Sequence, residues 1–222
     1  IENLMMIEPN KTAYIIGNGG SRKGFDLLIL KGKGTVFGCN ALYRDFAMNI
    51  QKYALPDYLV AIDNPIITEI ESSDFPSSRV LIPPENERWE PVELHWGRAV
   101  NKAWNPQRPR SNAGMNAILE AIKKGYTHLY IFGFDFLVVD QDTAMSNLYD
   151  GTDCYGLETR ANLQDTRNRM KYLGYVIENN PDVNFIFCYP KDVGQLYNPQ
   201  AINSCFTNFD DLIGLLREKN GV

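Results

Sequence analysis

Short apolar runs recur along the chain and alternate with stretches of helical periodicity. The runs are near-continuous rather than alternating in hydrophobicity, which is typical of strands that are covered on both faces. Six of them predict strands, at Thr12–Gly17, Thr35–Cys39, Asp57–Asp63, Arg79–Ile82, His128–Phe132 and Val183–Cys188. Helices are predicted at Phe25–Leu30, Ala41–Tyr53, Ile66–Glu71, Ala113–Lys124, Ala161–Asn179 and Phe209–Lys219. This alternation indicates an α/β fold, a Rossmann-like three-layer α/β/α domain with a mostly parallel sheet.

Two long segments interrupt this pattern. Residues 83–110 contain all three tryptophans and several prolines, and residues 137–158 are polar and rich in Gly and Asp. Loops longer than ~12–15 residues in a compact domain are usually functional or disordered. We therefore expect a single domain over residues 1–222, with an insertion at 83–110 and a mobile lid at about 137–158.

Composition narrows the class of protein. The formal net charge is −5 and the sequence pI is about 5.1, which argues against nucleic-acid binding through clustered Lys and Arg. No apolar run approaches the ~20 residues that span a bilayer, and we expect neither a transmembrane segment nor a signal peptide. The four cysteines are widely spaced, which disfavours a zinc site and a disulfide framework and indicates a reducing, cytoplasmic compartment.

An asparagine follows each of the first three predicted strands. Asn18, Asn40 and Asn64 would meet at one edge of a parallel sheet, where such folds bind their ligands. The Asn amide suits ribose hydroxyls, a base edge or phosphate oxygens. Asn also ends strands simply because it forms turns, and both interpretations stay open.

Three further turns are candidates for nucleotide contacts. The Gly-rich turn 17–21 could bring backbone N–H groups to a phosphate, although it is neither a dinucleotide fingerprint nor a P-loop. Arg110 and Asn112 precede the strongest predicted helix, where Asn112 is also a natural N-cap. Asp135 follows a strand, where it would accept from a ribose hydroxyl, bind a metal or cap a neighbouring loop.

Metal and histidine sites are weakly indicated. Asp140 and Asp142 have the Asp-x-Asp spacing that holds a divalent cation in many nucleotide-sugar transferases, but so short a pattern arises often by chance. We expect no metal here. His128 lies in an apolar strand and is expected to be a satisfied buried side chain, whereas His95 lies in the Trp-rich insertion.

Taken in order, these motifs resemble those of the bacterial lipooligosaccharide sialyltransferases of glycosyltransferase family 42. YIIGNGGS is similar to that family's Gly-Asn-Gly-Pro-Ser turn, and FGCNALY to its Cys-Asn-aromatic strand end. RSNAGMNAILEAIKKGYTHLYIFGFDF is similar to its Arg-x-Thr-Ser-Gly helix, Gly-Tyr turn and Gly-x-Asp-Phe strand end. The likeness extends in blocks from about Tyr14 to Phe136.

The resemblance implies a transferase that moves a sugar from a CMP-activated donor to a glycan acceptor, without a metal or other cofactor. It implies nucleotide contacts from the Gly-rich turn, the later asparagines, the helix start and the Gly-x-Asp strand end. These residues are Gly17, Asn18, Gly19, Ser21, Asn40, Asn64, Arg110, Asn112, Gly114, Gly133 and Asp135.

The chain departs from this family at the catalytic groups. Leu137 replaces a Tyr that steadies the departing phosphate, a role that Tyr149 or Tyr155 would have to take over. The family has a His as general base after the lid, and this chain has no His after His128. We predict that Glu158, or failing it Asp153, takes the proton instead.

Two other functions stay open. PDYLVAID resembles a strand of the 6-hydroxymethylpterin diphosphokinase-like domains, in which Asp63 would belong to an ATP–Mg²⁺ site. Asp135, Asp140 and Asp142 are the further candidate ligands of that Mg²⁺. The third alternative is a nucleotide- or glycan-binding relative that has lost catalysis. A homo-oligomer is possible under each of the three.

Overall fold

A seven-stranded parallel sheet forms the centre of the molecule. A computed structural model describes residues 4–47, 52–95 and 108–218. The strands are β1 Thr12–Ile16, β2 Thr35–Cys39, β3 Tyr58–Val60, β4 Val80–Leu81, β5 His128–Phe132, β6 Asn184–Tyr189 and β7 Ser204–Asn208. They lie in the order β4-β3-β2-β1-β5-β6-β7, and every pair is parallel. The fold is therefore the expected Rossmann-like α/β/α arrangement.

The strand order reverses between β1 and β5, and this reversal determines where a ligand can bind. Ile16, the last residue of β1, is in register with Gly38 of β2 and with Phe132 of β5. The turns that leave these strands therefore start at nearly the same level. A crevice at such a switch point is the usual ligand site of open α/β sheets.

Helices cover both faces of the sheet. They are α1 Asn64–Glu71, α2 Ala113–Lys123, α3 Gln141–Met145, α4 Leu163–Glu178 and α5 Phe209–Glu218. Tyr14 and Ile16 pack in the layer that contains α1 and α5, whereas Ala13 and Ile15 pack against α2 and α4. Because successive strand residues point to opposite faces and both faces are covered, β1 is buried at every position.

The predicted elements differ from the observed ones in a few places. Two predicted helices are 3₁₀ helices, at Leu27–Leu30 and Asn40–Phe46. The sequence pattern missed β7, whose residues are all half-buried, because an edge strand needs no continuous apolar run.

The two long segments differ in how much of them is described. In the 83–110 insertion, 3₁₀ helices occupy Glu85–Arg88 and Val92–Leu94, while Trp96 and Trp104 lie outside the described residues. The 137–158 segment contains α3 and a series of turns. Within the described ranges, no helix is long and apolar enough to cross a membrane. The single-domain boundary and the mobility of the lid stay predictions.

Candidate functional site

A polar cavity of about 330 Å³ opens at the carboxyl ends of β1, β2 and β5, beside the start of α2. Its other walls come from residues 144–161 and from the first half of α4. Ten of the residues predicted from the sequence line it: Gly17, Asn18, Gly19, Asn40, Arg110, Asn112, Gly114, Gly133, Asp135 and Tyr155. The sequence therefore located the cavity, although most of these side chains have structural partners of their own.

The Gly-rich turn is braced by the turn that follows β5. The amides of Gly17 and Gly19 donate to the carbonyls of Phe132 and Gly133, at 2.8 and 3.0 Å. A Cβ on Gly133 would lie 2.3 Å from the Gly17 carbonyl oxygen, and Gly133 has a φ of +69°. A neighbouring turn thus already satisfies the amides of Gly17 and Gly19. A nucleotide contact from this turn stays a prediction.

Asp135 caps this same turn. Its carboxylate accepts one hydrogen bond from the Ser21 amide at 2.9 Å and a second from the Ser21 hydroxyl. Burial raises the pKa of Asp135, opposed by the hydrogen bonds from Ser21 and by the charge of Arg22. Asp135 was expected to accept from a ribose hydroxyl, bind a metal or cap a loop, and the structure shows that it caps a loop. Ser21 is hydrogen-bonded to this carboxylate and does not line the cavity.

Asn18 joins the end of β1 to the end of β2. Its amide nitrogen donates to the Cys39 carbonyl at 2.8 Å, and its amide oxygen accepts from Arg22 at 3.2 Å. Arg22 is buried and also donates to the Gly17 carbonyl at 2.9 Å. Sequence reasoning missed this arginine as an organiser of the turn, because nothing in a lone basic residue marks it as buried.

Asn40 is different from Asn18. It begins the 3₁₀ helix after β2 with a left-handed φ of 51°, a conformation that Asn tolerates better than most residues. Its side-chain oxygen is buried and accepts no hydrogen bond from any described residue. A buried polar atom without a partner costs free energy, which distinguishes this oxygen from the other polar side-chain atoms of the cavity wall described above.

The polar residues at the start of α2 mainly contact other parts of the protein. Asn112 caps the helix by accepting from the Met115 amide at 3.0 Å, which confirms its structural interpretation. Arg110 donates to the Ile62 carbonyl at 2.6 Å and stacks on Trp89, with 4.9 Å from its guanidinium carbon to the ring centroid. Asn64 is exposed as the first residue of α1 and does not line the cavity.

Two tyrosines of the 137–158 segment face the sheet. Tyr155 lines the cavity, and its buried hydroxyl has no side-chain partner among the residues the structure describes. Tyr149 lies behind it, with ring centroids 5.7 Å apart, and its hydroxyl accepts from Arg22 at 3.1 Å. Leu137 is buried in the core. Of the two tyrosines, Tyr155 is the one that lines the cavity, and a contact with a phosphate stays a prediction.

The carboxylates predicted to act as general base lie elsewhere. Glu158 and Asp153 are both exposed, and neither lines the cavity. Their catalytic role stays a prediction. The acidic residues that do line the cavity are Asp63, Asp135, Asp150 and Asp165.

The structure gives no support to the Asp-x-Asp metal site. Asp140 caps α3 by accepting from the amides of Asp142 and Thr143, at 2.9 and 3.3 Å. Across the described ranges, no three His, Cys, Asp or Glu residues are grouped as metal ligands would be.

Neither histidine lines the cavity. His128 begins β5, at the end of the strand away from the cavity, and contacts Thr127 and Asn184. His95 is 2.9 Å from the carboxyl of Glu90, which is 1% exposed. Burial raises the pKa of Glu90 to about 7 and lowers that of His95, so near pH 7 the imidazole is largely neutral and the carboxyl is about half ionised.

Two further arginines, which the sequence analysis did not identify, complete the far wall. Arg160 donates to the carbonyls of Met145 and Asp142, at 3.0 and 3.2 Å. Arg169 projects from α4 and also lines the cavity. A polar helix offers many such residues, and periodicity alone cannot tell which of them faces a cavity.

No protein-family model and no curated protein matches this chain. Several solved structures are similar to this chain. A variant of the sialyltransferase CST-II in complex with CMP has 16% sequence identity and a TM-score of 0.44, over 89% of this chain and 90% of that chain. CST-II in complex with trisaccharide acceptor and CMP has 17% identity and a TM-score of 0.41, over 89% of each chain.

An alpha-2,3-sialyltransferase from Campylobacter jejuni in apo form has 21% identity and a TM-score of 0.38, over 93% of this chain and 87% of that chain. With TM-scores below 0.5, these similarities are too weak to assign a function to the cavity.

Proposed function

We propose that the cavity binds a CMP-activated sugar and that the protein is a sialyltransferase-like glycosyltransferase. The proposal is supported by the position of the cavity at the switch point of the sheet. It is supported also by the ordered sequence blocks that resemble the sialyltransferase family, since residues of all of these blocks line this one cavity.

The observation that carries the proposal is the unpartnered oxygen of Asn40. It accepts no hydrogen bond from the described chain, although it is buried and its residue lines a polar cavity. A nucleoside offers the complementary donors, namely the amino group of the base and the ribose hydroxyls. A bound nucleoside would therefore satisfy an acceptor that otherwise remains without a partner.

The remaining walls suit the charged part of such a donor. The first turn of α2 contributes Ala113 and Gly114 to the cavity, and a helix N-terminus stabilises nearby negative charge. Arg110, Arg160 and Arg169 also line the cavity. Positive charge around the phosphate favours its departure, because negative charge grows there as the bond to the sugar breaks.

Proton transfer from the acceptor hydroxyl needs a base. Glu158 and Asp153 remain our candidates, and closure of the segment around them onto the acceptor would have to bring one into reach. Neutral substitutions test this role. Glu158→Gln and Asp153→Asn should each lower the rate of transfer if that residue is the base, and full turnover in both variants would exclude it.

Calorimetric titration with CMP tests the binding proposal. Asn40→Gly removes the side chain but keeps a residue that tolerates the left-handed backbone, and should weaken CMP binding about two- to tenfold. Asn40→Asp keeps an acceptor and should retain more affinity than Asn40→Gly. Gln200→Gly is the matched control, because Gln200 is also left-handed, at φ 56°, but is exposed and lies outside the cavity. Equal CMP affinity in all four proteins would exclude the assigned site.

Turnover separates the proposed function from its alternatives. Release of CMP from CMP-N-acetylneuraminate, unchanged by EDTA, is the expected result. Binding of CMP without release would indicate a non-catalytic relative. Mg²⁺-dependent consumption of ATP, with no affinity for CMP, would identify the diphosphokinase alternative.

A further inference from the structure

Arg169 is a cation without a hydrogen bond in the cavity wall. It lies in the second turn of α4, and no acceptor on any described residue is bonded to its guanidinium. The other two cavity arginines are engaged. Arg110 donates to Ile62, Asp63 and Glu85, and Arg160 donates to two backbone carbonyls. Among the cavity arginines of the described chain, Arg169 therefore differs in that its N–H groups are free to donate to a ligand.

The surroundings of Arg169 do not neutralise it fully. Burial disfavours the charged form of Arg169 and lowers its pKa. The negative charges of three acidic residues oppose this effect, namely those of Asp165, Glu90 and Asp63. Glu90 carries only about half of a negative charge near neutral pH, because burial raises its own pKa to about 7. Asp63 is mostly exposed and already pairs with Arg110 at 3.4 Å. A half-buried guanidinium with free donors gains from an anion that enters the cavity.

The geometry of the group narrows the class of ligand. A guanidinium presents N–H donors in a planar fork that matches the two oxygens of a carboxylate or phosphate. A neutral sugar or nucleoside offers no such pair of charged acceptors. We propose that Arg169 binds the negatively charged group of the donor, either its phosphate or the carboxylate of its sugar. This inference rests on the proposed function, and makes Arg169 the residue that selects an anionic ligand.

Substitution of Arg169 tests the inference through the difference between ligands. Calorimetry on Arg169→Gln with CMP, cytidine and CMP-N-acetylneuraminate is the experiment. If Arg169 binds the phosphate, CMP affinity falls at least about tenfold and cytidine affinity changes less than about twofold. If it binds the carboxylate, CMP affinity is kept and the loss appears with CMP-N-acetylneuraminate alone.

Arg167→Gln is the matched control. Arg167 lies on the same helix, is exposed and does not line the cavity, so its substitution removes the same charge without touching the site. It should leave all three affinities within about twofold of those of the unmodified protein. An equal loss in both variants would mean that the long-range charge of α4, not a contact, attracts the ligand, and would overturn the inference.

A purely structural role for Arg169 predicts a different outcome. Arg169→Gln would then lower the melting temperature and weaken cytidine and CMP equally, or leave every affinity unchanged, and either result overturns the inference. Should Arg169→Gln fail to fold, Arg169→Lys decides, since it keeps the charge but loses the fork. It should then bind CMP or CMP-N-acetylneuraminate several-fold more weakly and cytidine normally, whereas normal binding of all three would contradict the inference.

The two proposals fail in distinguishable ways. If the unmodified protein binds neither CMP nor CMP-N-acetylneuraminate, the proposed function is wrong and the role of Arg169 is wrong with it. If the unmodified protein binds them and Arg169→Gln binds them equally well, the role of Arg169 alone is wrong.

Discussion

Gly133 determines how closely the ends of β1 and β5 approach. Gly133→Ala would place a Cβ 2.3 Å from the Gly17 carbonyl oxygen, a backbone atom that cannot rotate away. Gly125→Ala is the matched control, because Gly125 also has a positive φ, of +91°, but a Cβ there would meet nothing within 4 Å. The control should cost roughly 1–2 kcal/mol of unfolding free energy. Gly133→Ala should cost at least about 2 kcal/mol more in urea denaturation, and equal costs would mean that the two turns are not tightly packed.

Glu90 should make stability depend on pH. Its carboxyl faces His95, Arg169, Lys171 and Asp165, and burial raises its pKa from 4.5 to about 7. Between those two values the folded state holds a proton that the unfolded state has released, so this contribution to stability falls as the pH rises. The slope is at most about 1.4 kcal/mol per pH unit.

Denaturation of the unmodified protein and of Glu90→Gln, from pH 4.5 to 7.5, measures this contribution. The lowered pKa of His95 acts in the opposite sense but is present in both proteins. The advantage of the unmodified protein over Glu90→Gln should therefore shrink as the pH rises. A difference that is constant or grows with pH would contradict a carboxyl that is protonated in the folded state.

Individual site residues were only partly predictable from sequence. Residue type and position at a strand end placed Asn18, Asn40 and Asp135 near the cavity. Which of them keeps a free polar atom depends on contacts made across the sheet. Asn18 is hydrogen-bonded to Cys39 and Arg22, Asp135 is hydrogen-bonded to Ser21, and the oxygen of Asn40 has no described partner.

At the scale of elements, hydrogen bonds from Arg44 connect the 3₁₀ helix after β2 to the 137–158 segment. It donates to the Thr152 hydroxyl and to the Asp153 carbonyl, both at 2.9 Å, and a bidentate pair with Glu69 holds it in place. Its guanidinium carbon is also 5.8 Å from the ring centroids of both Tyr149 and Tyr155. Arg44→Gln should therefore loosen residues 147–156 more than the core.

Hydrogen exchange followed by mass spectrometry measures that loosening. In Arg44→Gln, amides of residues 147–156 should exchange several-fold faster while those of α2 keep their rates. Lys191→Gln is the control, since it breaks an exposed ion pair with Asp210 that involves no residue of 147–156. Unchanged exchange in 147–156 would show that the segment is held by its own packing.

Elements were more predictable than their contacts. Continuous apolar runs gave β1, β2 and β5 to within a residue, because strands covered on both faces need them. The Gly-rich turn was recognised, but the sequence did not show that its glycines allow close packing against the β5 turn. A sequence shows that a turn needs glycine and does not show what approaches it.

At the scale of the whole molecule, the sheet order explains why the candidate residues meet. Turns that are far apart in sequence, after β1, β2 and β5, converge because β1 lies between β2 and β5. The helix α2 begins at the same edge, and the 137–158 segment and α4 cover it. The cavity is thus a product of the topology, and the lining side chains determine which ligand it accepts.

A crystal structure of the chain with CMP is the most direct test of this account. We expect CMP in the cavity at the ends of β1, β2 and β5, with a nucleoside N–H or O–H within about 3.2 Å of the Asn40 side-chain oxygen. CMP bound at any other place, or a cavity that stays empty at a CMP concentration that saturates the protein in solution, would contradict the account.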